Sequence, residues 1–187
     1  MERFEIDKEV EEKVNQILQK VTQLPLEKIL SYAVKGEEDA IQLYKFLSQK
    51  IEEPHAKMKF EQFVRIESKH KEEILKVFEE LFPGIKLSEV PLSSWVEVSS
   101  EGIRRNIKSN DDYLNILEVA ISSEKLAEKM YLFIAQALER EYADIFTSLA
   151  GDEKQHYDFL VNQYLFYKRS KAEEDMHKKM DKLLRGE

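Results

Sequence analysis

The chain contains no cysteine. Disulfides, zinc fingers, thiolate iron centres and thiol catalysis are therefore excluded together, and any metal must be held by oxygen and nitrogen. Glycine (5) and proline (4) are scarce among the 187 residues, while the charged fraction of 35% is rich in Glu and Lys. Few turn formers and many helix formers predict an all-α protein with long helices. Apolar runs such as YLFIA at 131–135 fall far short of the roughly 20 residues of a membrane span. The opening MERFEIDKEV has no continuous apolar core of the secretory kind, so the expected location is cytoplasmic, with no membrane partner. The formal charge of −8 argues against nucleic acid, whose phosphates require clustered Lys and Arg.

What is present is helical periodicity. Val10, Val14, Ile17, Leu18, Val21 and Leu24 mark an amphipathic helix over 7–24, with Asp7 as a candidate N-cap. After Pro25 a longer apolar stripe runs from Ile29 to Ile51 and closes at the Glu-Glu-Pro of 52–54. A partner helix over about 55–82 carries Phe60, Phe63, Ile74, Val77 and Phe78, and Pro83-Gly84 ends it. Asn110 and Asp111 are candidate N-caps for a third helix, which reaches a break at 139–141; a fourth runs through Phe146, Leu149, Leu160 and Tyr164. Between the two hairpins lie roughly 27 residues, including the only tryptophan, Trp95. At up to about 3.3 Å per residue they can travel a whole helix length, which predicts a four-helix bundle with one long crossover, the ferritin-like topology. The expected organisation is an N-terminal helix (1–24), the bundle (25–167) and a charged helical tail (168–187), which either prolongs the fourth helix or docks separately.

Each of the four histidines has a glutamate three positions before it: Glu52/His55, Glu67/His70, Glu153/His156 and Glu174/His177. Spacing alone therefore discriminates nothing. On a helix, the residues three and four positions earlier share a face with the one in question. Glu67 follows Phe63 and Val64, and Glu153 follows Leu149 and Ala150; Glu52 and Glu174 follow polar residues, and Pro54 interrupts the Glu52–His55 turn. The same test selects Glu37, after Ala33 and Val34, and Glu124, after Ala120 and Ile121. Four ionised carboxylates facing one core oppose burial unless a cation joins them.

Hairpin symmetry brings these residues to one height. Positions 37 and 67 are centred on 52, and 124 and 153 on the break beside 139. Each pair thus lies roughly 22 Å from its turn at 1.5 Å rise per residue. The halves also repeat: EEDAIQLY from Glu37 and EKLAEKMY from Glu124 share E-x-x-A-x-x-x-Y, and Phe60 and Phe146 each open F-x-x-x-x-x-x-E-x-x-H.

One Glu from each of two helices plus Glu-x-x-His from the other two is the ligand set of ferritin-like di-iron carboxylate proteins. The stretch GEEDAIQLY in particular resembles the first helix of rubrerythrins, and the resemblance extends over roughly residues 26–166. It implies a metal site of Glu37, Glu67, His70, Glu124, Glu153 and His156. Within it Glu67 and Glu153 would bridge, and Glu37 and Glu124 would be terminal. The implied cofactor is two iron ions, with manganese and zinc also compatible with the donors. The implied activity is oxidation of Fe²⁺ by H₂O₂ or O₂, of the peroxidase or ferroxidase type, in iron handling or oxidative-stress defence. The alternative is a metal-binding bundle whose structural site serves an interaction or iron-binding module. Tyr44 and Tyr131 are either core residues or hydrogen-bond donors to the ligands. Asp152 either orients a histidine or lies on the surface. Two departures stand out. Rubrerythrins usually carry a four-cysteine rubredoxin module, so the electron donor here must be external, such as a separate rubredoxin. They also have a further glutamate three positions after the ligand glutamate of helix 3; here it is Ala127, with Glu128 next to it as a candidate substitute. Apolar stripes on the terminal helices point to a homodimer.

Overall fold

The computed structural model describes residues 8–51, 53–100 and 111–185. Asp7, Glu52 and Asn110, named above as a cap, a turn residue and a cap, lie outside the described residues. Six helices and no strand occur among the described residues: α1 (Lys8–Val21), α2 (Leu26–Lys50), α3 (Pro54–Leu81), α4 (Trp95–Ser100), α5 (Asp111–Ala137) and α6 (Arg140–Arg185). The protein is an all-α bundle of α2, α3, α5 and α6, with α1 and α4 packed against it. None of the described helices is long and apolar enough to cross a membrane.

Helix boundaries follow local chemistry. The carbonyl of Pro25 accepts from the Ile29 backbone at 3.0 Å and opens α2. Glu53 caps α3: its carboxylate accepts from the backbone N–H groups of His55 (2.9 Å) and Ala56 (2.5 Å), with Pro54 in the first turn, where its missing N–H costs nothing. Those donors hold the Glu53 carboxyl below the ordinary range. Past α3 the chain turns at Gly84, whose φ of 78° is a conformation that favours glycine.

Aromatic contacts set the relative directions of the hairpins. Phe60, near the start of α3, meets Phe159 of α6 at 6.1 Å, and Tyr113, near the start of α5, meets Tyr167 of α6 at 4.7 Å. The helices α3 and α5 therefore begin at the same end of the bundle, and the crossover spans its length. The crossover is also part of the core. Trp95 is buried, edge-on to Tyr32 (5.5 Å between centroids) and to Tyr131 (6.1 Å). A Cβ on Gly36 would lie 2.0 Å from the Trp95 ring. A glycine in mid-helix costs about 1 kcal/mol against alanine; here it lets the indole lie on the α2 backbone one residue before Glu37. Ser94 and Glu97 cap α4 reciprocally at 2.9 and 3.2 Å. Lys35 of α2 donates to Glu97 (3.0 Å) and to the Leu92 carbonyl (3.1 Å), and Tyr32 donates to the Ser93 carbonyl (3.0 Å).

The tail continues α6 without a break, giving one helix of 46 residues. At 1.5 Å per residue it is about 69 Å long. From residue 172 to 185 every position is exposed.

Candidate metal centre

Glu37, Glu67, Glu124 and Glu153 are all buried, as are His70 and His156, and they come from the four bundle helices to one level. Each is delivered by an apolar stripe: Ala33 and Val34 precede Glu37, Phe63 precedes Glu67, Ile121 precedes Glu124, and Leu149 and Ala150 precede Glu153, all of them buried except the partly buried edge of the α3 stripe at Val64.

The donor atoms converge as two overlapping groups. Glu37, Glu67, His70 and Glu153 each place one ligand-type atom within 4.8 Å of the others, and Glu67, Glu124, Glu153 and His156 do the same. Glu67 and Glu153 belong to both. Nδ1 of His70 lies 3.0 Å from Glu67, 3.1 Å from Glu153 and 4.0 Å from Glu37. Nδ1 of His156 lies 2.9 Å from Glu67, 3.3 Å from Glu153 and 3.4 Å from Glu124. Close as these approaches are, the two Nδ1 atoms and one oxygen of each glutamate have no hydrogen bond. Buried polar atoms without partners are rare because each costs about 1–3 kcal/mol. Six of them converging, four from carboxylates and two from imidazoles, can hold metal ions of the Fe, Mn and Zn type.

Without a cation the cluster holds protons instead. Burial, and then the neighbouring carboxylates, push Glu37 well up and Glu124 up to about 8. Burial also works against ionising Glu67 and Glu153, yet both are held below the ordinary carboxylate value: Glu67 by His156 and His70, and Glu153 by contacts with Glu124, His156 and His70. The histidines respond in kind. Burial disfavours their charged form, but Glu153 and Glu67 raise His70 to about 10, and Glu67, Glu124 and Glu153 raise His156 well above 6.5.

Surrounding groups position these side chains. Tyr44 donates its hydroxyl proton to Glu124 Oε1. Nε2 of His70 faces Asp152 Oδ2 at 3.3 Å; a proton on Nε2 shared with that carboxylate leaves the Nδ1 lone pair toward the cluster. The position matching Asp152 in the other half of the repeat is Ile66. The His156 ring packs on Phe63 at 4.0 Å instead. Tyr131, the repeat counterpart of Tyr44, is buried with its hydroxyl unpartnered and its ring against Trp95 and Phe146. Glu128 lies outside both groups and pairs with Lys125 at 2.6 Å, while Ala127 is buried. His55 and His177, with Glu174, stay on the surface.

Sequence reasoning did not reach the Trp95–Gly36 contact or the role of Phe63 as a wall behind His156. A signal for the first was present: a glycine inside a long helical stripe marks a close approach.

An all-α bundle with a long crossover and a buried carboxylate–imidazole cluster on its four central helices is a ferritin-like fold. The rubrerythrin sequence family matches residues 28–103 and 115–185, and the chain belongs to that family. A hypothetical protein from Pyrococcus furiosus is similar in fold, with a TM-score of 0.70 and 24% identity over 81% of this chain and 95% of that one. No protein of curated function matches the chain in sequence.

Proposed function

We propose that this chain is a di-iron carboxylate oxidoreductase that reacts with hydrogen peroxide or O₂, acting in iron handling or oxidative-stress defence in the cytoplasm. The observation that carries the reading is the pair of buried four-residue groups sharing Glu67 and Glu153, with their donor atoms unpartnered. One iron would be held by Glu37 and His70, the other by Glu124 and His156, with Glu67 and Glu153 common to both. When bound, two ferrous ions supply two electrons, the number that reduces hydrogen peroxide to water.

The chain's own residues prepare the site for this. Tyr44 holds Glu124 facing the cluster, and Asp152 sets the tautomer and direction of His70. Phe63, Phe60 and Phe159 form an apolar wall beside His156 that keeps bulk water from the ligands. Ala127 contributes no donor, so the reading rests on six ligands rather than on a seventh carboxylate. No cysteine is present to hold a thiolate iron centre in these 187 residues, and the reading takes a rubredoxin-type protein as the electron donor.

The test is metal analysis of the purified protein, followed by anaerobic Fe²⁺ loading and stopped-flow absorbance on adding H₂O₂ or O₂. The expected result is two metals per chain and an oxidant-dependent ferric band. Substoichiometric metal that is unchanged in Glu67→Ala/Glu153→Ala would overturn the di-metal reading. Full loading that raises the melting temperature but gives no oxidant-dependent change would favour a structural metal site in an interaction module.

A further inference from the structure

We infer that the exposed C-terminal part of α6 pairs antiparallel with the same segment of a second copy of this chain, forming a two-stranded coil centred near residue 171. The bundle ends where Tyr167 meets Tyr113, and α6 projects beyond it. Along the projecting helix the large apolar residues Phe166 (59% exposed), Met176 (54%), Met180 (53%) and Leu183 (77%) remain in solvent.

Their spacing is that of a coil seam. Phe166, Glu173 and Met180 recur every seven residues, and Asn162, Arg169, Met176 and Leu183 form the alternate position of the same seam. Only two seam positions are charged, Arg169 and Glu173, and they carry opposite signs. In an antiparallel pair about residue 171, Arg169 faces Glu173 of the second copy, and Glu173 faces its Arg169. The same alignment sets Phe166 against Met176 of the second copy, and Met180 against Asn162. A parallel pair would instead stack Arg169 on Arg169 and Glu173 on Glu173, burying like charges, so the sequence of charges selects the direction.

Space and side-chain size agree with this alignment. Ser170 and Ala172 flank the centre and let the helices approach closely. The end of one bundle, at Tyr167, is offset from the end of the other by roughly 8 residues, about 12 Å along the axis at 1.5 Å per residue, so the bundles do not collide. The contact involves none of the proposed metal ligands and stands or falls separately from the proposed function.

The experiment is light scattering and sedimentation equilibrium on the full chain at tens of micromolar. The wild type is expected to be a dimer. Arg169→Glu should weaken dimerisation about tenfold or more by placing Glu against Glu173, and adding Glu173→Arg in the same chain should restore it. Met176→Glu/Met180→Glu, at exposed positions, should give a helical, metal-binding monomer. Because the chain has no native cysteine, direction can be read by cross-linking. A mixture of Phe166→Cys and Met176→Cys chains should form a disulfide-linked pair under mild oxidation, while each variant alone should not. A monomeric wild type would overturn the inference and leave the seam to a different protein. A dimer indifferent to the Arg169 and Glu173 changes, or cysteine variants that cross-link alone, would overturn it as well.

Discussion

The hydroxyl of Tyr44 on α2 donates to the carboxylate of Glu124 on α5, joining residues 80 positions apart and tying the two halves of the repeat together at the cluster. The mirror-image bond does not exist: Tyr131 keeps an unpartnered hydroxyl, and its ring leans on Trp95. Tyr44→Phe removes a bond to a charged acceptor and frees Glu124 to rotate, a loss of about 1–2 kcal/mol. Metal affinity in a competitive chelator titration should fall about tenfold, whereas Tyr131→Phe should change it by no more than about twofold. Equal effects of the two variants would show that the halves are equivalent.

Asp152 is the second asymmetric support. Its side chain is 45% exposed, so its hold on His70 is weakened by solvent, and Asp152→Asn should cost about tenfold in affinity, at the low end for groups that orient a metal-binding histidine. The loss should fall on one of the two metals. Stepwise titration with Mn²⁺ or Fe²⁺ checks this: one binding step weakens and the other does not.

The cluster makes the metal-free protein sensitive to pH in a definite direction. Glu124 is raised from 4.5 to about 8, so its contribution to stability is fully present below pH 4.5 and is lost as pH climbs to 8. His70 is raised from 6.5 to about 10, so its contribution is present below 6.5 and lost on the way to 10. Glu67 and Glu153, which are lowered, act oppositely, but only below the ordinary carboxylate range. The melting temperature of chelator-treated protein should therefore fall between about pH 5 and 9. Metal replaces these protons, so its stabilising effect should grow over the same interval. Melting curves with and without metal at several pH values test this, and a constant gap would contradict it.

Glu37 costs the metal-free fold stability, because one of its oxygens is buried without a partner and its carboxyl is pushed well up. Glu37→Gln removes the ionisable group at nearly constant volume. The metal-free variant should be about 1–2 kcal/mol more stable at pH 8, while bound metal drops toward one per chain. Chemical denaturation and metal analysis on the same preparation give both readings.

Gly36→Ala puts a methyl where the Trp95 ring now lies, at 2.0 Å. Overpacking of this kind costs about 1–3 kcal/mol. Because Trp95 is the only tryptophan, its emission should shift to the red as the indole is displaced. Loss of stability without a shift would mean that the helix, not the indole, moved.

The helices and the six clustered residues were readable in the sequence because burial imprints period and neighbours. Apolar residues one turn before Glu37, Glu67, Glu124 and Glu153 marked them as inward-facing, and polar ones before Glu174 marked it as outward. The ends of α2 and α3 were readable from Pro25, Pro54 and Pro83-Gly84. The length and path of the crossover were readable too, but its internal structure was not, because a six-residue helix such as α4 carries too few turns to show a period, and Trp95 finds its place only by contact with Gly36. Whether the tail continued α6 was open for a similar reason: a charged helix reads the same whether it prolongs a neighbour or stands apart.

Helix identity, the repeat and the height of each cluster residue along the bundle are properties of the one-dimensional sequence, since periodicity and equal distance from a turn do not depend on what packs against what. Partner choice across the bundle is different. That Asp152 faces His70, that Tyr44 rather than Tyr131 holds a glutamate, and that Trp95 fills the gap over Gly36 depend on helix rotation and offset. Two halves with nearly the same motif are thereby given unequal surroundings, and only the packed structure decides which half receives which.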